Sequence, residues 1–212
     1  MAPLNPDDAR IFRITHRDNV PWLLANGLHC PNSDTCDPNF IPIGLPDLIQ
    51  RRRHRVVPIP PGGTLDDYVP FYFTPRSVML YNIKTGCGGV IERANNEIVI
   101  LVSSLPGLAQ HQIPFVFTNS HAYMNEADFF GDLEDLRHID WPLLRSRDFR
   151  RDPDDPGKLG RYQAEALAHR HVPVEALLGI ACYDVSAEQA VSDAVAASGL
   201  TLQVKAVPHW YF

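Results

Sequence analysis

The segment E-I-V-I-L-V-S-S-L at residues 97–105 constrains the fold of this chain more than any other. Its apolar residues run from Ile98 to Val102 without a polar interruption, and four of these five are β-branched. Such a run is short for a globular helix and has the composition of a buried strand. Further strands read from I-F-R-I-T (11–15), Y-V-P-F-Y-F-T (68–74), I-P-F-V-F-T-N (113–119), G-I-A-C-Y-D-V (179–185) and T-L-Q-V-K-A-V (201–207). Helices read from N-V-P-W-L-L-A-N-G (19–27), closed by Gly27, from L-P-D-L-I-Q-R-R-R (45–53) and from R-S-V-M-L-Y-N-I-K (76–84). S-A-E-Q-A-V-S-D-A-V-A-A-S-G (186–199) is a helix with Ser186 as N-cap, Gln189 completing a capping box and Gly199 as terminator. Strands and helices in mixed order, with several strands too short for a doubly wound sheet, predict an α+β fold. The stretch from about 120 to 160 has little regular pattern, which is long for a structureless loop and marks it as a functional segment.

The Pro-rich interruptions P-I-P-P (58–61) and P-D-D-P (153–156) are too short to be linkers, so a single domain over 1–212 is expected. With 45% hydrophobic and 21% charged residues and no run approaching eighteen apolar residues, no membrane span is expected. The start M-A-P-L-N-P-D-D-A-R lacks the basic and apolar regions of a signal peptide, which points to the cytoplasm. There the four cysteines are reduced thiols. A net charge of −6 argues by itself against a nucleic-acid partner, but positive charge gathers locally in R-R-R-H-R (51–55) and R-S-R-D-F-R-R (145–151). Local basic patches on an acidic protein can still hold a phosphate backbone.

Several common signatures are absent. No G-x-G-x-x-G follows a strand, and there is no Walker A loop and no G-x-S-x-G elbow. Cys30 and Cys36 beside His29, and the pair His169 and His171, lack structural zinc spacing, so no metal is expected. The segment G-R-Y-Q-A-E-A-L-A-H-R-H-V-P (160–173) is ambiguous: its alanines favour helix. On a strand, Glu165, Leu167, His169 and His171 would face one way and Ala164, Ala166 and Ala168 the other.

The strand–helix F-R-I-T-H-R-D-N-V-P-W-L-L-A-N-G-L (12–28) resembles the first such unit of the ADP-ribosyltransferase superfamily. The wider order resembles the DarT family of DNA-modifying ADP-ribosyltransferase toxins, over roughly residues 11–182. It comprises I-T-H (14–16) with Asn19, I-G (43–44) with D-L-I (47–49) and the arginines, D-Y-V-P-F-Y-F-T-P-R-S-V-M-L-Y (67–81), I-V-I-L-V-S-S (98–104), F-T-N-S-H-A (117–122), I-D-W (139–141) and Q-A-E (163–165). D-Y-V-P-F-Y-F-T-P-R-S is the most specific of these, and Ala168 departs from the β-branched residue expected after Leu167.

The resemblance implies a PARP-like fold, a central mixed β-sheet flanked by helices, and transfer of ADP-ribose from NAD, with no metal, to a thymine base in single-stranded DNA. It implies Glu165 as the catalytic carboxylate at the start of a central strand, with an arginine of R-R-R-H-R opposite: Arg51 first, Arg53 second. Thr15, His16 and Asn19 would contact NAD, together with Arg51 and Arg53, above the turn at Gly27 and Leu28, and Tyr72, Phe73 and Met79 would line the nicotinamide pocket. His121, Tyr123, Arg147, Arg150 and Arg151 would meet DNA, with Phe129 or Trp141 as further stacking surfaces. The partner implied is a macrodomain antitoxin of the DarG type. Other acceptors (guanine, RNA or protein) and a non-catalytic nucleotide-binding module are the alternatives.

Overall fold

β4 (Ile98–Ser104) pairs with β1 (Arg10–His16) along its whole length and with β9 (Gly179–Cys182) on its other edge, so the I-V-I-L-V run lies inside a sheet. This computed structural model describes residues 4–212, and the first three residues of the domain expected over 1–212 lie outside the described residues. The sheet has eight strands in the order β10 (Val204–Ala206), β9, β4, β1, β3 (Tyr68–Tyr72), β7 (Glu165–His169), β5 (Phe115–Thr118), β6 (Phe129–Phe130). β10 and β9 run parallel and the other pairs antiparallel, a mixed sheet. A two-stranded ribbon joins β2 (Leu28–His29) to β8 (His171–Val172).

One face of the sheet carries a continuous core. Ile11, Val69, Phe71, Val99 and Leu101 pack there beneath α1 (Val20–Asn26), α4 (Leu105–Gln110), α5 (Trp141–Ser146) and α7 (Val185–Ala197). On the other face the core is interrupted. Phe12, Ile14, Ile98 and Ile100 pack with Leu80 and Ile83 of α3 (Val78–Thr85) and with Trp210, while Tyr68, Val116 and Leu167 form a separate cluster with Val57 and Leu65. The break follows from the pairing: β1 and β3 meet at one register position, Phe12 opposite Tyr72, and part beyond it. Arg13 spans the parting, its Nη1 donating to the Pro70 carbonyl at 2.9 Å. A sheet that opens between two strands leaves a slot whose walls are already built.

The ambiguous segment 160–173 divides into α6 (Lys158–Tyr162), β7 and β8. Ala164, Ala166 and Ala168 are fully buried on the helix-covered face, and Leu167 faces the other. A doubly covered strand overrides alanine's helix propensity, and Ala168, between β3 and β5, occupies a site with no exposure. At Arg170 the backbone turns through a left-handed φ of 64°, which ends the alternation before His171.

Three expectations need correction. The N-cap of α7 is Asp184, whose carboxylate accepts from the Ala187 N–H at 2.8 Å, so the helix starts earlier than a Ser186 cap allows. Gln189 instead donates to Asp193. The 120–160 stretch holds β6, α5 and a two-turn 3₁₀ segment at 133–138, with the rest tied by side chains. There Lys158 reaches Asp148 at 2.9 Å, and Arg161 forks onto Asp155 and also reaches Asp140.

Gly27 closes α1 at φ 77°, and a Cβ there would stand 2.3 Å from His171 Nε2 and 2.7 Å from the Val172 carbonyl. Both the conformation and the close approach of β8 require glycine. Gly27→Ala is expected to cost about 2–4 kcal/mol, read as a fall in the midpoint of thermal unfolding.

Candidate active site

Glu165 opens β7 at the level where β3 ends, paired with Tyr72, and its side chain turns to the face where the core is broken. It is 3% exposed. Arg52, the last residue of α2 (Pro46–Arg52), forks onto it: Nη1 to Oε1 at 2.9 Å and Nη2 to Oε2 at 2.8 Å. The Ala122 N–H donates to Oε1 at 3.0 Å, and His121 Nδ1 stands 3.6 Å from the same oxygen. Burial alone would push the Glu165 carboxyl up. The Arg52 charge, then His121 and the two sets of hydrogen bonds, outweigh burial and hold it below the usual glutamate value. Burial likewise works against the Arg52 cation, and the carboxylate more than restores it.

The neighbours are tuned by the same pair. His121 Nδ1 accepts from the Tyr123 N–H at 3.2 Å, which leaves the ring proton on Nε2. Burial lowers the affinity of His121 for a second proton more than Glu165 raises it, so at neutral pH it is an uncharged donor. Burial, followed by the Glu165 charge, raises the Tyr72 phenol well above its ordinary value, so it stays protonated. Desolvation, with the Arg52 charge adding to it, lowers Arg13 to about 10.

His121 also lines a cleft of about 670 Å³ bounded by Leu48 of α2, by Tyr123 and Met124, and by the 151–163 segment including Arg151 and Gln163. His16, 5% exposed at the end of β1, accepts from the Asp18 N–H through Nδ1 at 3.2 Å, with Glu97 Oε1 3.7 Å from its Nε2. Thr15 Oγ1 accepts from Asn19 Nδ2 at 3.1 Å. Asn19 exchanges two hydrogen bonds with the backbone of Ile41, so its amide anchors the 30–45 loop over the start of α1.

The structure regroups the residues read from sequence. Arg52, rather than Arg51 or Arg53, meets Glu165: Arg51 is exposed, and Arg53 pairs with Asp66 at 3.2 Å. Consecutive helical residues point about 100° apart, so one of three can face the sheet. Part of the signal was in the sequence: Leu45, Leu48 and Ile49 continue at helical spacing to positions 52 and 53 but not to 51. Phe73 is fully buried against Phe117 and Trp141, on the opposite side from Tyr72 because strand side chains alternate. Leu28 is core, paired with Val172, and Trp141 is 6% exposed with Nε1 donating to the Leu136 carbonyl. Neither is available to a ligand. Met79 packs on the edge of the Phe12 cluster. Arg147 takes a left-handed φ of 58° beside Arg76, and Arg150 folds onto Asp148, so of these three arginines only Arg151 lines the cleft. Arg13 was not singled out by sequence, since a strand arginine carries no motif.

The polar groups fit a dinucleotide substrate: a carboxylate to accept from ribose hydroxyls, a neutral imidazole and a phenol as donors, beside buried guanidinium charge for phosphate. Among the described residues no group of three or more His, Cys, Asp or Glu side chains is arranged to hold a metal ion, and no helix is long and apolar enough to cross a membrane. All four cysteines are free.

Comparison with known proteins gives the family. A family model described as "ssDNA thymidine ADP-ribosyltransferase, DarT" matches residues 12–212. A DNA ADP-ribosyl transferase of Escherichia coli O127:H6 is 54% identical over 211 residues, covering 100% of this chain and 97% of that protein. The structure of Thermus sp. 2.9 DarT in complex with ADP-ribosylated ssDNA superposes with a TM-score of 0.90 at 31% identity, covering 100% of both chains. The same protein in complex with NAD+ gives 0.85 at 30% identity, covering 98% of this chain and 99% of that one. With the matching model spanning nearly the whole chain, this protein belongs to the DarT family of single-stranded DNA thymidine ADP-ribosyltransferases.

Proposed function

We propose that this chain transfers ADP-ribose from NAD to a thymine base in single-stranded DNA and releases nicotinamide. The observation that carries this reading is the buried Glu165 carboxylate, clamped by Arg52 at the break in the core and beside the cleft. NAD supplies the activated ribose, whose bond to nicotinamide breaks as the bond from C1′ to the thymine ring nitrogen forms. Positive charge develops on the ribose in that step, and a fixed carboxylate in a water-poor site stabilises it. The thymine ring proton passes to Glu165 and on to solvent. Arg52 keeps its charge throughout; it holds Glu165 in place and stabilises the thymine anion as it forms. His121 presents its Nε2–H to the base, and His16, Thr15, Tyr72 and Met79 line the NAD side. Paired thymine hides its ring nitrogen, which favours a single strand.

We place the whole chain in one catalytic domain acting in the cytoplasm, where NAD and DNA are both present, and expect a macrodomain antitoxin as its counterpart. Thermosipho africanus DarTG in complex with ADP-ribose shares the fold, with a TM-score of 0.71 at 18% identity, covering 96% of this chain and 51% of that one. Incubation with NAD and a thymine-containing oligonucleotide should add one ADP-ribose to the DNA, detected by mass. Single strands should react and duplexes should not. Modification of guanine-only DNA, RNA or the protein itself, with thymine DNA untouched, would overturn the choice of acceptor. Induction in cells without an antitoxin should arrest growth.

A further inference from the structure

No residue from 31 to 56 is buried, yet this segment carries the arginine that meets Glu165. Its apolar anchorage is slight: Ile43 and Leu45 pack on the edge of the Phe12 cluster, and α2 buries no residue. A seven-residue helix with so little packing does not hold a direction by itself. Its aim is set at its C-terminal end by two neighbouring side chains. Arg52 forks onto Glu165, and Arg53 Nε stands 3.2 Å from Asp66 Oδ2. Consecutive helical residues point about 100° apart, so the second contact fixes the rotation that aims the first.

Asp66 is the middle residue of a single 3₁₀ turn, Leu65–Asp67, and that turn is braced on both sides. The Asp67 carboxylate accepts from the Thr64 N–H at 2.8 Å and from Asn32 Nδ2 at 3.1 Å. The Asp66 carbonyl accepts from the Asn32 N–H at 3.0 Å. A Cβ at Gly63, where φ is 80°, would stand 2.5 Å from the Asp67 carboxylate, so the turn closes only around glycine. Asp66 is 7% exposed. Arg53, Arg52 and His54 face it from the end of α2, and Asp67 stands beside it on its own turn. Burial, with Asp67 adding to it, outweighs the three basic groups and holds the Asp66 carboxyl above the usual aspartate value. A carboxyl raised in this way favours the folded state while protonated, and that contribution is lost as pH rises through its folded value. At neutral pH the Asp66 charge therefore works against folding, which is the mark of a functional position rather than a structural one.

Resting on the ADP-ribose transfer described above, we propose that Asp66 is a positioning residue for that reaction: through Arg53 it sets the rotation of α2 and so delivers Arg52 onto Glu165. The Asp66 carboxylate stays on Arg53, and its effect on the reaction arrives through the Arg52 fork at 2.9 and 2.8 Å. A helix free to rotate by a fraction of a turn would break one of those two parallel bonds and leave Glu165 misaligned. Misplacement on that scale is costly for a site that works by fixed geometry.

Asp66→Asn keeps the shape and removes the charge. Transfer to a single-stranded thymine oligonucleotide should fall about tenfold in kcat, the loss expected for one charged contact. KM for NAD and affinity for the oligonucleotide should stay as in wild type. The midpoint of thermal unfolding at pH 7 should hold level or rise, because the opposing charge is gone. Arg53→Gln, at a half-exposed position, should lower kcat to the same degree. The double variant should lose no more than either single one, since both changes break one contact. Hydrogen exchange at the backbone amides of 49–55 should quicken in both variants. Wild-type kcat in the two single variants would overturn the proposal, as would losses that multiply in the double variant. So would an unfolding midpoint lowered enough to account for the lost activity. A loss confined to oligonucleotide affinity would make Arg53 a phosphate contact and likewise overturn it. If wild type transfers nothing while exchange at 49–55 quickens in both variants, the positioning of α2 stands and the proposed reaction fails.

Discussion

Glu165→Gln is expected to lower ADP-ribose transfer to single-stranded thymine DNA by on the order of 10²–10³-fold, while NAD still binds. Glutamine has the same shape and can still accept one hydrogen bond from Arg52 and one from the Ala122 N–H. It lacks the charge that stabilises positive charge on the ribose, and it cannot take the thymine proton. Both losses fall in the transition state rather than in substrate binding, so kcat drops and KM for NAD changes little. Losing one preorganised electrostatic contact typically costs about 10²–10³-fold, and the missing proton acceptor adds to that. Mass spectrometry of the oligonucleotide gives the rate, and calorimetric titration with NAD gives the affinity. A variant that transfers at a tenth of the wild-type rate or better would remove Glu165 from the reaction.

The position of Glu165 also marks how far the sequence could be read. Strand patterning placed β1, β3, β4, β5 and β9, because β-branched and aromatic runs between polar turns have few other solutions. Helix ends at Gly27 and Gly199 were legible for the same local reason: each takes positive φ. Two features were not local. The strand conformation of 165–169 depends on β3 and β5 lying on either side, which propensity cannot register. The pairing of position 52 with position 165 spans 113 residues of chain. Site residues failed where alternation was overlooked: Tyr72 and Phe73 cannot both face one pocket. Arg147, Arg150 and Arg151 cannot share a direction where the backbone reverses at Arg147 through a left-handed φ of 58°.

The remaining large effect separates the arginines. Arg52→Lys is expected to cut transfer on the order of 10²-fold or more, whereas Arg51→Gln should act mainly on affinity for DNA. A lysine ammonium cannot make the two parallel bonds that Arg52 makes at 2.9 and 2.8 Å, so Glu165 is free to rotate off the reacting ribose. Arg52→Ala goes further and reverses the pH dependence of stability. In wild type the Glu165 carboxyl is held below its ordinary value of 4.5, so its contribution is present at neutral pH and lost as pH falls through the folded value. Without Arg52 the main charge opposing burial is gone, and the carboxyl is held above the ordinary value. Stability then falls as pH rises past about 4.5, because the folded state must bury an uncompensated charge. At neutral pH the loss is about 3–5 kcal/mol, the usual cost of breaking a buried pair from one side. Urea unfolding at pH 4.5 and pH 7 measures it: wild type should be more stable at pH 7, and Arg52→Ala more stable at pH 4.5. The double variant Arg52→Ala with Glu165→Gln should recover stability at pH 7 without recovering activity, since it removes the unpaired charge and leaves the reaction without either group. Activity lost with Arg51→Gln and kept with Arg52→Lys would instead return the catalytic role to Arg51.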